Sequence, residues 1–176
     1  MKRSAGTLLY RIGSTASGRS AEPSAAEHDV QVLLVHMGGP FWARKDEHAW
    51  SLPKGEYSDG EIPHDVAARE FAEELGSPLP DGSEFDLGST TQSGKSVLAF
   101  ARAADFDAST CVSNTFELEW PPKSGRMQAF PEVDRAEWFS VQEARLKLVK
   151  GQVVFLDRLL AHLRVPGPGQ PWTWAY

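Results

Sequence analysis

The sequence predicts an α/β (α+β) domain, and three observations carry that expectation. Short apolar runs of strand length recur along the chain. One strongly signalled helix interrupts them near the middle, and two more helical patterns close the chain. The third observation is size: 176 residues fit one domain able to bury about 70% of its unfolded surface without disulfide or structural metal.

The elements read in order. Thr7-Leu8-Leu9-Tyr10-Arg11 is a short strand, and Val30 to Val35 is a second, more fully buried one. Between them Gly13 to His28 is rich in Ser, Ala and Gly and reads as a flexible loop, 13–28. Gly38-Gly39-Pro40 breaks the second strand, and Phe41 to Trp50 mixes aromatics with charge, as an exposed loop beside a site does. Trp50-Ser51-Leu52 is a brief strand entering Pro53-Lys54-Gly55. The helix over Pro63–Leu75 opens on a proline that needs no N–H partner, with Asp65 in its first turn. It stops at Gly76, and Pro78 prevents continuation. Strand patterns follow at Phe85–Thr91, Lys95–Ala101, Phe116–Trp120 and Ala136–Phe139, with Gln92-Ser93-Gly94 as a hairpin turn. Val141–Val149 and Val153–Leu163 read as helices. The expected organisation is a single domain over 1–165, then a Pro-rich tail, 166–176, bearing Trp172, Trp174 and Tyr176.

Composition excludes several classes. The 24 acidic against 18 basic residues leave a net charge of −6, which argues against broad nucleic-acid binding. No apolar run approaches the ~20 residues of a membrane span, and no signal-peptide core follows Lys2 and Arg3. Cys111 is the lone cysteine, and His28, His36, His48, His64 and His162 show no metal-ligand spacing. A cytoplasmic protein is expected, and its oligomeric state is not legible.

The chemistry concentrates between Gly55 and Gly76. On a helix Glu70, Glu73 and Glu74 fall within a ~100° arc, with Ala68, Phe71, Ala72 and Leu75 on the expected core face. Like charges so placed disfavour an isolated helix by about 0.2–0.5 kcal/mol per pair. Arg69, four residues before Glu73, relieves this only in part, whereas a hard divalent cation, which takes oxygen ligands, relieves it better. An acidic run alone is most often a solvated face. The full spacing is different: Gly55, Glu61, Arg69-Glu70, Glu73-Glu74 and Gly76 are seven fixed identities, expected by chance in about one chain per million.

That spacing resembles the box of the Nudix hydrolases. Ser77 departs from it, standing where the family prefers an aliphatic residue. The resemblance implies a Nudix-type α/β/α sandwich with a mixed β-sheet between helices. It also implies Mg²⁺-dependent hydrolysis (Mn²⁺ as a substitute) of a phosphoanhydride in a nucleoside diphosphate linked to another moiety. Carried over, Glu70, Glu73 and Glu74 are the metal ligands, with the Gly55 carbonyl as a fourth. Arg69 orients a neighbouring glutamate, and Glu61 supports the loop–helix turn. Family members differ in which carboxylate is the base. Glu132, ahead of Trp138-Phe139, resembles the loop candidate and is otherwise a surface glutamate.

Pro53-Lys54-Gly55 resembles the opening found in family members acting on dinucleoside polyphosphates, capped RNA ends or inositol pyrophosphates. The Lys54 ammonium is placed to meet an additional phosphate, or is a surface lysine. Arg44, Lys45, Lys123 and Arg126 extend a phosphate path or merely solubilise. Trp42 and Phe41 stack on a base or cover the core; Glu117 and Glu119 add a ligand or face solvent. The expected partner is a small-molecule nucleotide or polyphosphate, a dinucleoside polyphosphate or nucleoside triphosphate first. The rival from another class is a catalytically silent Nudix-fold module that binds a nucleotide or protein. Isoprenoid diphosphate isomerisation ranks last, because Cys111 lies in no matching motif.

Overall fold

A computed structural model describes residues 2–13 and 30–163. Residues 14–28 of the expected loop and all of the expected tail, 166–176, lie outside the described residues.

Strand β1 (Arg3–Ile12) is the spine of a seven-stranded mixed sheet. One edge of β1 pairs in parallel with β6 (Lys95–Ala103), which is paired in turn with antiparallel β5 (Glu84–Gln92). Ser93 and Gly94 turn that hairpin with positive φ, as the Gln92-Ser93-Gly94 signal predicts. The other edge of β1 is divided. Its C-terminal end pairs with β2 (Val30–Met37), from Tyr10↔Val32 to Ile12↔Val30. Its N-terminal end pairs with β4 (Lys54–Tyr57), from Gly6↔Lys54 to Arg3↔Tyr57. Between them β3 (Trp50–Ser51) stays on the outer part of β2, whose length also carries β9 (Val133–Ser140). A separate hairpin of β7 (Thr115–Glu119) and β8 (Met127–Pro131) completes the strands.

Alternation along the central strands sends side chains to two cores. Leu8, Tyr10, Val32 and Leu34 pack on one face with α2 (Val141–Lys147) and α3 (Val153–His162). Leu9, Leu33 and Val35 pack on the other with Phe71 and Leu75 of α1 (Pro63–Leu75), and Ala5 packs with Val66 and Ala67. Helices therefore cover both faces of a mixed sheet, as the resemblance implies. No helix among the described residues is long and apolar enough to cross a membrane.

Helix α1 has the predicted bounds. Pro63 starts it, and Gly76 ends it at φ 74°, donating its N–H to the Ala72 carbonyl at 2.9 Å. Two strands were absent from the sequence pattern. β4 contains Gly55 and follows a proline, and β8 is exposed along most of its length. Both form because a partner strand offers its hydrogen bonds rather than because their own residues favour extension.

Candidate active site

The divided edge of β1 makes the site. Between β3 and β4 the chain crosses from β2 to β1 through Leu52 and Pro53. Both ends of this crossing are tied: Gln152 Oε1 accepts the Leu52 N–H at 3.0 Å, and the Pro53 carbonyl accepts the Thr7 N–H at 3.1 Å. Gln152 is fully buried, and its amide also donates to Ser51 and Gln92. The chain then runs as β4 beneath α1.

The buried stripe of α1 is Val66, Ala67, Phe71 and Leu75, so the expected core positions Ala68 and Ala72 are only its margin. This shift matters for the carboxylates. With Val66 at zero and about 100° per residue, Glu70 stands near 40° and Glu74 near 80°, inside the buried arc; Glu73 stands just outside it. Glu70 and Glu74 therefore face β4 rather than forming an acidic surface opposite the core, as the sequence suggested. Room for Glu70 comes from Gly55, where a Cβ would fall inside the Glu70 carboxyl group. Glu74 Oε2 accepts the Lys54 N–H at 3.3 Å, while Glu73 stays exposed.

Burial is the main electrostatic consequence. It pushes the Glu74 carboxyl up to about 8, against the pull of the Lys54 ammonium, with the charges of Glu70 and Glu132 adding to the rise. Burial also raises Glu70, opposed by Arg69 and reinforced by Glu73 and Glu132. Arg69 donates to Glu70 Oε1 at 3.2 Å and to Glu61 Oε1 at 2.9 Å, and stands 3.9 Å from Glu73 Oε1. Glu61 also accepts the Ser58 N–H at 2.8 Å, which closes the loop entering α1.

Glu132 faces this helix from the joint between β8 and β9, close enough for its charge to act on both Glu70 and Glu74. Its backbone is held on both sides: the N–H donates to the Asn114 carbonyl at 2.9 Å, and the carbonyl accepts the Gly38 N–H at 2.8 Å. The segment 111–114 links Glu132 to α1. Asn114 N–H donates to the Glu73 carbonyl at 3.2 Å and Val112 N–H to the Leu75 carbonyl at 3.2 Å. Ser113 Oγ accepts the Val133 N–H at 2.9 Å. These tethers were not legible in the sequence; the polar run Ser113-Asn114 ahead of a strand was their only trace.

The remaining expected residues are spread more widely. Lys54 lies in the site. Trp42 leans on the core beside α2 and α3, with the Lys45 ammonium 4.6 Å from its ring centre, while Arg44 is exposed. The exposed aromatic of that loop is Phe41, edge-on to Trp120 at 5.3 Å. Lys123 and Arg126 sit at the tip of the β7–β8 hairpin, where Glu119 accepts the Gly125 N–H at 2.6 Å, and Glu117 faces solvent beside it.

Among the described residues no group of three or more His, Cys, Asp or Glu side chains is arranged to hold a metal ion. The donor set nonetheless suits a hard cation. It is made of carboxylate oxygens, two of them in surroundings that penalise their charge, packed against a glycine backbone that admits no side chain.

A helix-covered mixed sheet whose divided edge lies under a carboxylate-bearing helix defines the class. Residues 24–159 match the family described as NUDIX domain, and the chain belongs to it. Over 74 residues (42% of this chain) it is 38% identical to an 8-oxo-(d)GTP phosphatase of Mycolicibacterium smegmatis. Over 46 residues (26% of this chain) it is 41% identical to an RNA pyrophosphohydrolase of Pseudoalteromonas translucida. The matched stretches span only 20% and 27% of those relatives' own lengths. In fold it is similar to a C. elegans Ap4A hydrolase, with TM-score 0.54 and 19% identity, covering 93% of this chain and 98% of that one.

Proposed function

We propose that this chain is a Nudix pyrophosphohydrolase that cleaves a phosphoanhydride bond in a nucleoside diphosphate linked to another group. The favoured substrates are a dinucleoside polyphosphate or a nucleoside triphosphate, with Mg²⁺ as the cation and Mn²⁺ as its substitute. The observation that carries this reading is the packing of Glu70 on Gly55 beside the partly buried Glu74, with the charge of Glu132 acting on both. A helix needs no such arrangement to be stable, and repelling carboxylates make it less so.

Glu70, Glu73, Glu74 and the Gly55 carbonyl would hold the cation. When bound it supplies charge neutralisation at the phosphates and a lowered pKa for an attacking water. Arg69 orients Glu70. Glu132 takes the proton, a general-base role worth about 10²–10⁴-fold in rate. The Lys54 ammonium binds a further phosphate, which favours a polyphosphate chain, and the loop with Trp42, Arg44 and Lys45 receives the distal part of the substrate. The names of the two sequence relatives, one a phosphatase of a nucleoside triphosphate and one an RNA pyrophosphohydrolase, support phosphoanhydride chemistry. The lone cysteine fits action in the cytoplasm.

The test is a panel of diadenosine polyphosphates, nucleoside triphosphates, 8-oxo-dGTP and 5′-triphosphorylated RNA, run with Mg²⁺ or Mn²⁺ in ¹⁸O-labelled water. Cation-dependent release of a labelled phosphate product is expected. Nucleotide binding with no release from any member would overturn it in favour of a silent binding module.

A further inference from the structure

His36 is the one imidazole among the described residues that is wholly buried, and the mechanism proposed above does not use it. It lies near the end of β2 with acceptors at both ring nitrogens. Nδ1 is 2.8 Å from Asp134 Oδ1, and Nε2 is 2.7 Å from the Lys45 carbonyl. A carboxylate and a carbonyl only accept, so both contacts are hydrogen bonds only when both ring nitrogens carry hydrogen. The ring is edge-on to Trp50 at 5.0 Å.

What the two bonds join gives the residue its interest. Asp134 is the extra residue of a bulge: His36 pairs with Arg135 and Met37 with Val133, so Asp134 is passed over by the ladder. Bulges re-aim side chains, and this one turns Asp134 to His36 two positions after Glu132. The other bond ends on Lys45, in the loop that carries Trp42 and Arg44. Gly38, two residues after His36, adds a third tie by donating to the Glu132 carbonyl.

We propose that His36 is a positioning residue whose two ring N–H groups fix the loop bearing Glu132 and the loop bearing Trp42–Lys45 at one spacing. The Asp134 arm aims the base, and the Lys45 arm shapes the substrate loop. This rests on the reading of Glu132 as base and of the 42–45 loop as substrate contact.

The arms are separable, because an asparagine amide replaces Nδ1 of histidine and a glutamine amide replaces Nε2. H36Q keeps the Lys45 arm and loses the Asp134 arm; its kcat falls by about 10–100-fold with KM nearly unchanged. H36N keeps the Asp134 arm; its KM rises by about tenfold with kcat nearly unchanged. D134A, at a partly exposed site, reproduces the H36Q pattern and serves if substitution of the buried ring prevents folding. Parallel loss of kcat and KM in all three, or no change in any, overturns the proposal. Spectra of the ¹⁵N-histidine protein decide it without turnover: two slowly exchanging ring N–H signals from His36 are expected, the Nδ1 signal lost in D134A, and a single signal refutes it. An unreactive wild-type chain with both signals would refute the hydrolase reading and leave the double hydrogen bond standing.

Discussion

The two walls of the site are built in opposite ways. One wall, β4 and α1, comes from a single run of sequence, Lys54–Leu75; once β1 has supplied an edge for β4, the groups of this wall are placed by local geometry: a helix rotation, a glycine, an arginine one residue from its partner. The other wall gathers Gly38, His36, Ser113, Asn114, Glu132 and Asp134 from three distant stretches, and hydrogen bonds to backbone hold most of it. The contiguous wall concentrates charge and the assembled wall aims a single carboxylate at it. On the proposed reading, loss of a group from the first removes the chemistry, whereas loss from the second misdirects it.

Substitutions on the contiguous wall have the largest expected effects. E70Q and E73Q abolish cation-dependent hydrolysis while thermal melts show the fold intact; normal turnover in both would remove these residues from the site. On the assembled wall E132Q lowers kcat by about 10²–10⁴-fold, the range of a lost general base. A rate within twofold of wild type would return the role to a box glutamate.

The contiguous wall also makes stability depend on pH. Glu74 has a reference value of 4.5 and is raised to about 8 in the fold, so between those values the folded chain holds a proton that the unfolded chain has released. In metal-free protein this contribution is fully present below 4.5 and is lost as pH rises through about 8. Melting temperatures across that window should fall with pH in the wild type and fall less in E74Q; equal slopes would refute the shift. The smallest effect belongs to the tether: S113A leaves the Val133 N–H without its acceptor, costs about 1–3 kcal/mol in denaturant unfolding, and lowers kcat more than it raises KM. An unchanged kcat would detach segment 111–114 from the placement of Glu132.

Legibility followed the same division. The bounds of α1 were readable because Pro63 and Gly76 act within one turn of themselves. The box residues were readable because their spacing lies in one segment. The orientation of Glu70 and Glu74 was misread: periodicity groups charged residues on a face opposite the core, and only the strand beneath α1, with Gly55 making room for Glu70, gives partly buried carboxylates a place. β4 was unreadable for a related reason, since Pro53 and Gly55 argue against a strand until β1 supplies its edge. His36 was visible only as a histidine without metal spacing, its two partners being 9 and 98 residues away.

Glu70 against Gly55 and Glu74 on the Lys54 N–H are together proposed to make a cation site that repulsion would otherwise disfavour. The direct measurement is a Mn²⁺ titration of the nucleotide-free protein followed by electron paramagnetic resonance. Wild-type protein should take up the ion, and the double variant E70Q/E74Q, folded by its melting profile, should lose that uptake. Equal uptake by the two proteins, or none by the wild type, would contradict the claim.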